Sequence, residues 1–351
     1  HAIDTHPDPP IVPLRTVNAA PSESNRIVEP YDPPLDESSR WFAPGLAVRT
    51  DNEVIPYLDA VKLFADMASA IRTASSSGHA ILFAGWSVDL DLPLVPGDST
   101  SSLVSLFTAA GARGVLVFVL LNRFSPKVPG LAAFDNSGDV TRLDALPGVH
   151  AVHDDLLLSV PIVGDPVQAH HQKLLVVSGS EGLVAFVGGV DIEPNRLDFL
   201  QDCHLRVRGP AAQDLHRTLV ERWLEHGRTP APPPPSPSQN LGAKRDLRVA
   251  TLRTYPNARA HGGLRRQASR AYAFAPSGEQ SYRQQVLFAI AQAQRHIYVE
   301  DQYLVDAEIA HALAAAAPRL ELVLLLVCAD AFVGGELAGQ LAWRRSEFLR
   351  I

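Results

Sequence analysis

The sequence predicts an α/β protein with a mostly parallel or mixed sheet covered by helices on both faces. Two observations predict it. Unbroken apolar runs of strand length, such as 115–121 and 322–327, alternate with stretches whose apolar residues return at helical spacing. Strands buried on both faces read as such runs, because neither face meets water. The composition, 46% hydrophobic and 20% charged over 351 residues, supplies apolar material for a core and excludes global disorder. This length suits two domains or one two-lobed domain.

In chain order, residues 1–40 are rich in Pro, Asp and Ser, show no period and read as an extended arm. Phe64, Met67, Ala68 and Ile71 recur at helical spacing and predict an amphipathic helix, with Gly78 as its punctuation. A buried strand at 79–85, a helix at 103–110 and a buried strand at 115–121 follow. Strands 173–177 and 183–187 are joined by a turn through Ser178-Gly179-Ser180-Glu181-Gly182. In strand 203–208, Leu205 and Val207 alternate with Arg206 and Arg208. Helix 211–224 closes a first lobe, 41–228. The run Thr229-Pro-Ala-Pro-Pro-Pro-Pro-Ser-Pro-Ser238 opens a stiff, extended linker, 229–245, since proline fixes φ and removes a donor. Helix 282–294, buried strand 297–299, helix 308–317 and buried strand 322–327 then repeat the opening order, a weak internal repeat. Residues 246–351 are therefore expected to form the front part of a second lobe. In the first copy 85 positions separate Trp86 from His171, and the same count from Asp301 runs past Ile351.

Lys plus Arg total 31 and Asp plus Glu 38, a formal charge of −7, which weighs against broad nucleic-acid binding. The two cysteines, Cys203 and Cys328, are far apart in stretches that read as buried strands, so neither a disulfide framework nor a cysteine zinc site is expected. No apolar run approaches the roughly 18 residues needed to span a bilayer. No signal peptide opens the sequence, which starts at His1, and the compartment stays open.

The chemistry concentrates in His170-His171-Gln172-Lys173-Leu-Leu-Val-Val177 and Val184-Ala-Phe-Val-Gly188-Gly189-Val190-Asp191. Residues two apart in a strand share a face, so His171 and Lys173 project together. A neutral imidazole can attack phosphorus, and an adjacent ammonium can neutralise phosphoryl oxygens. The Gly188-Gly189 pair offers a backbone without side chains that a bulky anion can approach.

This combination resembles the phospholipase D superfamily, whose H-x-K-x4-D motif is followed by Gly-Gly or Gly-Ser and then Asp or Asn. Ala84-Gly-Trp-Ser-Val-Asp89 is similar to the family's first-strand segment. Asp202-Cys-His-Leu-Arg-Val-Arg-Gly-Pro210 resembles the segment after the motif, and Glu221-Arg-Trp223 the end of its helix. Ile297-Tyr-Val-Glu-Asp-Gln-Tyr303 resembles the segment opening the second repeat of the two-motif, eukaryotic-type members. The resemblance spans roughly residues 41–351. It implies a two-lobed α/β sandwich with a mixed sheet in each lobe and the active site between lobes. It makes His171 the nucleophile that forms a phosphohistidine, Lys173 the phosphate-binding lysine and Asp202 the acid that orients the histidine. Gly188, Gly189, Asp191, Trp86, Glu300 and Gln302 are the expected substrate-binding residues, with Trp86 equally readable as core.

The resemblance implies head-group hydrolysis or transfer on glycerophospholipids, with phospholipid at a membrane surface as partner, no nucleic acid, no metal and no cofactor. The alternatives are a nuclease or a cardiolipin-synthase-like phosphodiesterase, and a non-catalytic lipid-binding or scaffold protein. Two departures bear on this. Ser178 stands where the motif ends in Asp, in a turn about three residues longer than the family's usual spacing, and no second H-x-K-x4-D occurs. The second half-site is expected from a further C-terminal segment, or from a homodimer partner. His150, His153, Asp154 and Asp155 could suggest a metal site but match no common ligand spacing and read as a polar strand and loop. Gly334-Gly335 reads as a turn.

Overall fold

The computed structural model describes residues 41–122, 136–154, 170–198, 202–237, 247–255, 272–327 and 335–351, with side chains of the last helix from 342 onward. The arm 1–40, Asp155, Cys328 and Gly334 lie outside the described residues. β1 (Val48–Tyr57) leads into α1 (Ala60–Thr73), capped by Asp59, whose carboxylate accepts from Val61 and Lys62 N–H at 2.9 and 3.3 Å. The predicted stripe of α1, Phe64, Met67, Ala68 and Ile71, is buried. β2 (Ala80–Gly85), α2 (Leu103–Ala112), β3 (Leu116–Asn122), α3 (Ser137–Asp144) and β4 (Val149–Asp154) follow, and β2, β3 and β4 pair in parallel. β5 (Lys173–Gly179) and β6 (Gly182–Gly188) form an antiparallel hairpin. The single turn α4 (Asn195–Asp198), β7 (His204–Arg208) and α5 (Pro210–Glu225) come next.

Eight strands form one mixed sheet in the order β4-β3-β2-β5-β6-β7-β1-β8, where β8 is Leu247–Ala250. One face packs Ile81, Phe83, Val117, Val119, Leu175 and Phe186 against α1 and α2. The other packs Leu82, Phe118, Leu120, Leu174 and Val176 against Leu215, Leu219 and Trp223 of α5. Both faces are dry, which is why these strands are apolar throughout.

Beyond β8 come the short pair β9 (Thr254–Tyr255) and β10 (Glu279–Gln280), α6 (Ser281–Gln292), β11 (His296–Asp301), α7 (Ala307–Ala316), β12 (Leu322–Val327) and α8 (Gly335–Arg350). β11 and β12 form a separate parallel pair, as β2 and β3 do. Ile290, Leu313 and Phe348 of the three helices cover one face of it.

Four expectations are corrected. Strands 297–299 and 322–327 exist, but only one face is covered: Tyr298, Leu322, Leu324 and Leu326 are exposed. Residues 247–250, expected to open a second lobe, instead add an edge strand to β1. The proline-rich run is docked rather than free up to 237. The Trp223 indole donates to Pro230 O at 3.0 Å, and Ser236 N–H donates to the Ser178 hydroxyl at 2.8 Å. The turn after β5 is not long: Gly179 faces Gly182 across the pair, so only Ser180 and Glu181 connect the strands. Gly182 takes φ +81°, the left-handed backbone that a tight hairpin demands.

Candidate active site

Strand alternation divides the work of β5 and the segment leading into it. Lys173 shares the α1–α2 face with Leu175 and Val177, whereas Gln172 reaches Arg222 of α5 on the opposite face. Lys173 is 6% exposed, and its ammonium meets three groups. Nζ lies 3.3 Å from Asp191 Oδ1, 3.3 Å from His171 Nε2 and 5.5 Å from the Trp86 ring centroid. An ammonium only donates, so a hydrogen bond here makes Nε2 the lone-pair nitrogen of His171 and puts the ring proton on Nδ1. Trp86 packs edge-on to the same imidazole, with centroids 4.8 Å apart.

Desolvation, then the cations of Lys173 and Arg196, lower the His171 pKa to about 4. Held below its ordinary 6.5, the ring is neutral at pH 7. Burial also lowers the Lys173 pKa against the pull of Asp191, and raises that of Asp191 against Lys173 and Arg196. Asp191 is 2% exposed and is held further by Ser87 N–H at 3.4 Å, which ties the end of β2 to the site.

Arg196, on α4, went unnoticed in the sequence. Its Nη2 lies 3.1 Å from Asp191 Oδ2 and its Nη1 3.5 Å from Asp202 Oδ2. Asp202 is therefore not hydrogen-bonded to His171. Its other oxygen accepts from Cys203 N–H at 2.8 Å. No carboxylate accepts from His171 Nδ1 among the described residues. Cys203 itself is exposed, just ahead of β7, rather than within a buried strand.

The glycine pair has a different cause from the one expected. A Cβ on Gly188 would lie 2.3 Å from Cys203 O and 2.5 Å from His204 Cα, and one on Gly189 would lie 2.0 Å from Asp202 Oδ1. The missing side chains make room for β7 and for the Asp202 carboxylate. His204, 1% exposed, stands in line with Lys173 and Gly188 across the sheet, and burial depresses its pKa to about 4.

Glu300 and Gln302 are not brought to the site. Both are exposed at the end of β11, where Glu300 accepts from Tyr298 Oη at 2.9 Å and Gln302 O accepts from Arg345. Asp154 is buried and engaged by Arg222 and His226, while His150 packs on Phe118. No group of three His, Cys, Asp or Glu side chains suited to a metal occurs among the described residues. On the α5 side, Arg222 holds Gln172 and Asp154 together, and His170 Nε2 lies 2.6 Å from Tyr272 Oη. The one sequence signal for this network was Glu221-Arg-Trp223, whose arginine is 2% exposed.

A neutral imidazole beside a paired lysine could attack a phosphorus centre while the ammonium neutralises its oxygens. Phospholipase D gamma 3 of Arabidopsis thaliana is 26% identical over 218 residues, 47% of this chain and 25% of that protein, so the match spans a quarter of that relative's length. The phosphatidylserine synthase of Haemophilus influenzae Rd KW20 shares the fold over 85% of this chain and 68% of its own, with a TM-score of 0.50 and 13% identity. Nuc from Salmonella typhimurium, a phospholipase D family member, aligns over 51% of this chain and 95% of its own at a TM-score of 0.28 and 15% identity, which adds nothing to the assignment. No family model matches. The likeness to the synthase shows the fold that this chain shares with it.

Proposed function

We propose that this chain carries a phosphodiesterase or phosphatidyltransferase half-site that releases or exchanges the head-group of glycerophospholipids through a phosphohistidine. The observation that carries the reading is the His171 imidazole, neutral at pH 7, with Nε2 3.3 Å from the buried Lys173 ammonium. His171 Nε2 attacks phosphorus while Lys173 draws the phosphoryl oxygens, and the P–O bond to the head-group alcohol breaks. Water or a second alcohol then attacks the phosphohistidine and frees His171. The departing alkoxide needs a proton. We assign that to a second half-site, supplied by a further segment of chain or by a homodimer partner. No described helix is long and apolar enough to cross a membrane.

The test is head-group release from phosphatidylcholine vesicles, with transfer to a primary alcohol, by the chain together with its second half-site. An acid-labile phosphoryl adduct should form on His171 and vanish in His171→Ala. Turnover that survives His171→Ala would refute the reading. A non-catalytic phosphate-binding role is favoured by one observation, the engagement of Asp202 by Arg196 rather than by His171. It predicts vesicle binding without an adduct.

A further inference from the structure

Arg196 stands between two carboxylates with unequal holds on it. Asp191, 3.1 Å from Nη2, is buried and also binds Lys173. Asp202, 3.5 Å from Nη1, has a side chain 36% exposed and makes one long contact. Exposed pairs of that kind contribute about 1 kcal/mol or less. The Arg196 Nε is buried and has no partner among the described residues.

Two cations and two carboxylates thus surround a neutral imidazole, and the balance offers an incoming phosphodiester no net positive charge. An anion must displace a carboxylate, and Asp202 is the one held weakly at the surface. Its position is prepared for this. Oδ1 is anchored by Cys203 N–H, and Gly189 keeps clear the space in which the carboxylate sits. Oδ2 is the atom that Arg196 holds.

We propose that Arg196 is the second cation of the phosphate site, holding Asp202 in the unliganded protein and exchanging it for a phosphate oxygen, whereupon the released Asp202 accepts the Nδ1–H of His171. This rests on the phosphodiester reading above. No covalent bond changes in the exchange, and the proton stays on Nδ1. The fork of a guanidinium suits a phosphate better than it suits one oxygen at long range. Asp191 keeps Nη2 and fixes the fork. The consequence is that the nucleophile receives its orienting acid only when a phosphate is present.

The experiment uses the full chain, inorganic phosphate as probe, calorimetry for affinity and NMR titration of the His171 ring. The charged groups facing that ring are Lys173 and Arg196, with Asp191 and Asp202 behind them. Arg196→Met should weaken phosphate binding about 10–100-fold, the loss of a charge-assisted pair. Arg196→Lys, which keeps the charge without the fork and spares the fold, should recover part of it. Asp202→Asn should leave the His171 titration near its wild-type position in the free protein. It should lower it by a unit or more in phosphate-saturated protein and in the Arg196→Met background, where Asp202 is released. An equal effect of Asp202→Asn in all three states would overturn the exchange. Phosphate affinity that falls with Lys173→Met but not with Arg196→Met would overturn it too and leave the phosphodiester reading standing. Affinity indifferent to both would remove that reading as well.

Discussion

Acid should unfold this chain through its buried histidines well before its carboxylates titrate. His170, His204 and His216 are all nearly fully buried, and desolvation depresses their pKa values to about 3, 4 and 4 from an ordinary 6.5. Between the native and unfolded values the unfolded chain binds more protons than the native one, so stability rises with pH across that window. It is fully present above about pH 6.5 and is lost as pH falls toward 4. Three such groups give a limiting slope of about 4 kcal/mol per pH unit. The loss is about 3 kcal/mol between pH 6.5 and 5.5 and about 6 kcal/mol by pH 5 relative to neutral pH, against the roughly 5–15 kcal/mol of a typical domain. His171 is left out of this sum because it is exposed. Burial raises the pKa values of Asp139 and Asp191, which opposes the trend only near the carboxylate range.

Urea unfolding followed by tryptophan fluorescence at pH 7.5, 6.5 and 5.5 measures this directly. The midpoint should fall steeply over the last unit, and His216→Gln should flatten the slope by about a third. Equal stability at pH 7.5 and 5.5 would mean that these imidazoles are hydrated or charged in the native state, and the argument from burial would fail. Activity lost below about pH 5.5 should accordingly be read as loss of the fold before it is read as protonation of His171.

Three further outcomes follow from the packing. Arg222→Met strands the Asp154 carboxylate at 2% exposure and releases Gln172, and should cost about 3–5 kcal/mol in denaturant unfolding, whereas the joint change with Asp154→Asn should recover part of it. Gly188→Ala drives a methyl into Cys203 O and the His204 backbone, and should abolish soluble expression or lower the melting temperature by more than 10 °C. Ser178→Ala removes the acceptor for Ser236 N–H and should cost about 1 kcal/mol, with proteolysis near 236 accelerated as the proline-rich run loosens.

The large sheet was legible because its strands carry their burial in their composition. Runs such as Val117–Leu121 are apolar at every position, and both faces are in fact dry. The His171/Lys173 pair was legible because i, i+2 spacing puts both on one side of an extended segment, here the one leading into β5. What could not be read was which carboxylate each cation meets. Asp191 and Asp202 both follow the glycine pair, and only the single turn of α4 brings Arg196 between them. Ser178, which breaks the motif on paper, is a buried hydroxyl bonded to Ser236, a partner far along the chain that local pattern does not reveal.

The two parallel pairs show why an apolar run does not by itself foretell burial. β2–β3 and β11–β12 share strand direction, and each has helices packed on one face. On the other face the outcomes diverge. Leu82, Phe118 and Leu120 are sealed by α5, which arrives from much later in the sequence, while Tyr298, Leu322, Leu324 and Leu326 lie open. The residue types are alike, so the difference is in the covering element and not in the strand. It has an energetic signature. Phe118→Ala should cost about 3–5 kcal/mol through lost burial and a cavity. Leu324→Ala, at 40% exposure, removes less buried area and leaves no enclosed void, so about 1 kcal/mol is expected. Equal costs in urea unfolding would show that the open face is covered in solution, and the half-exposed reading of β11–β12 would have to be abandoned.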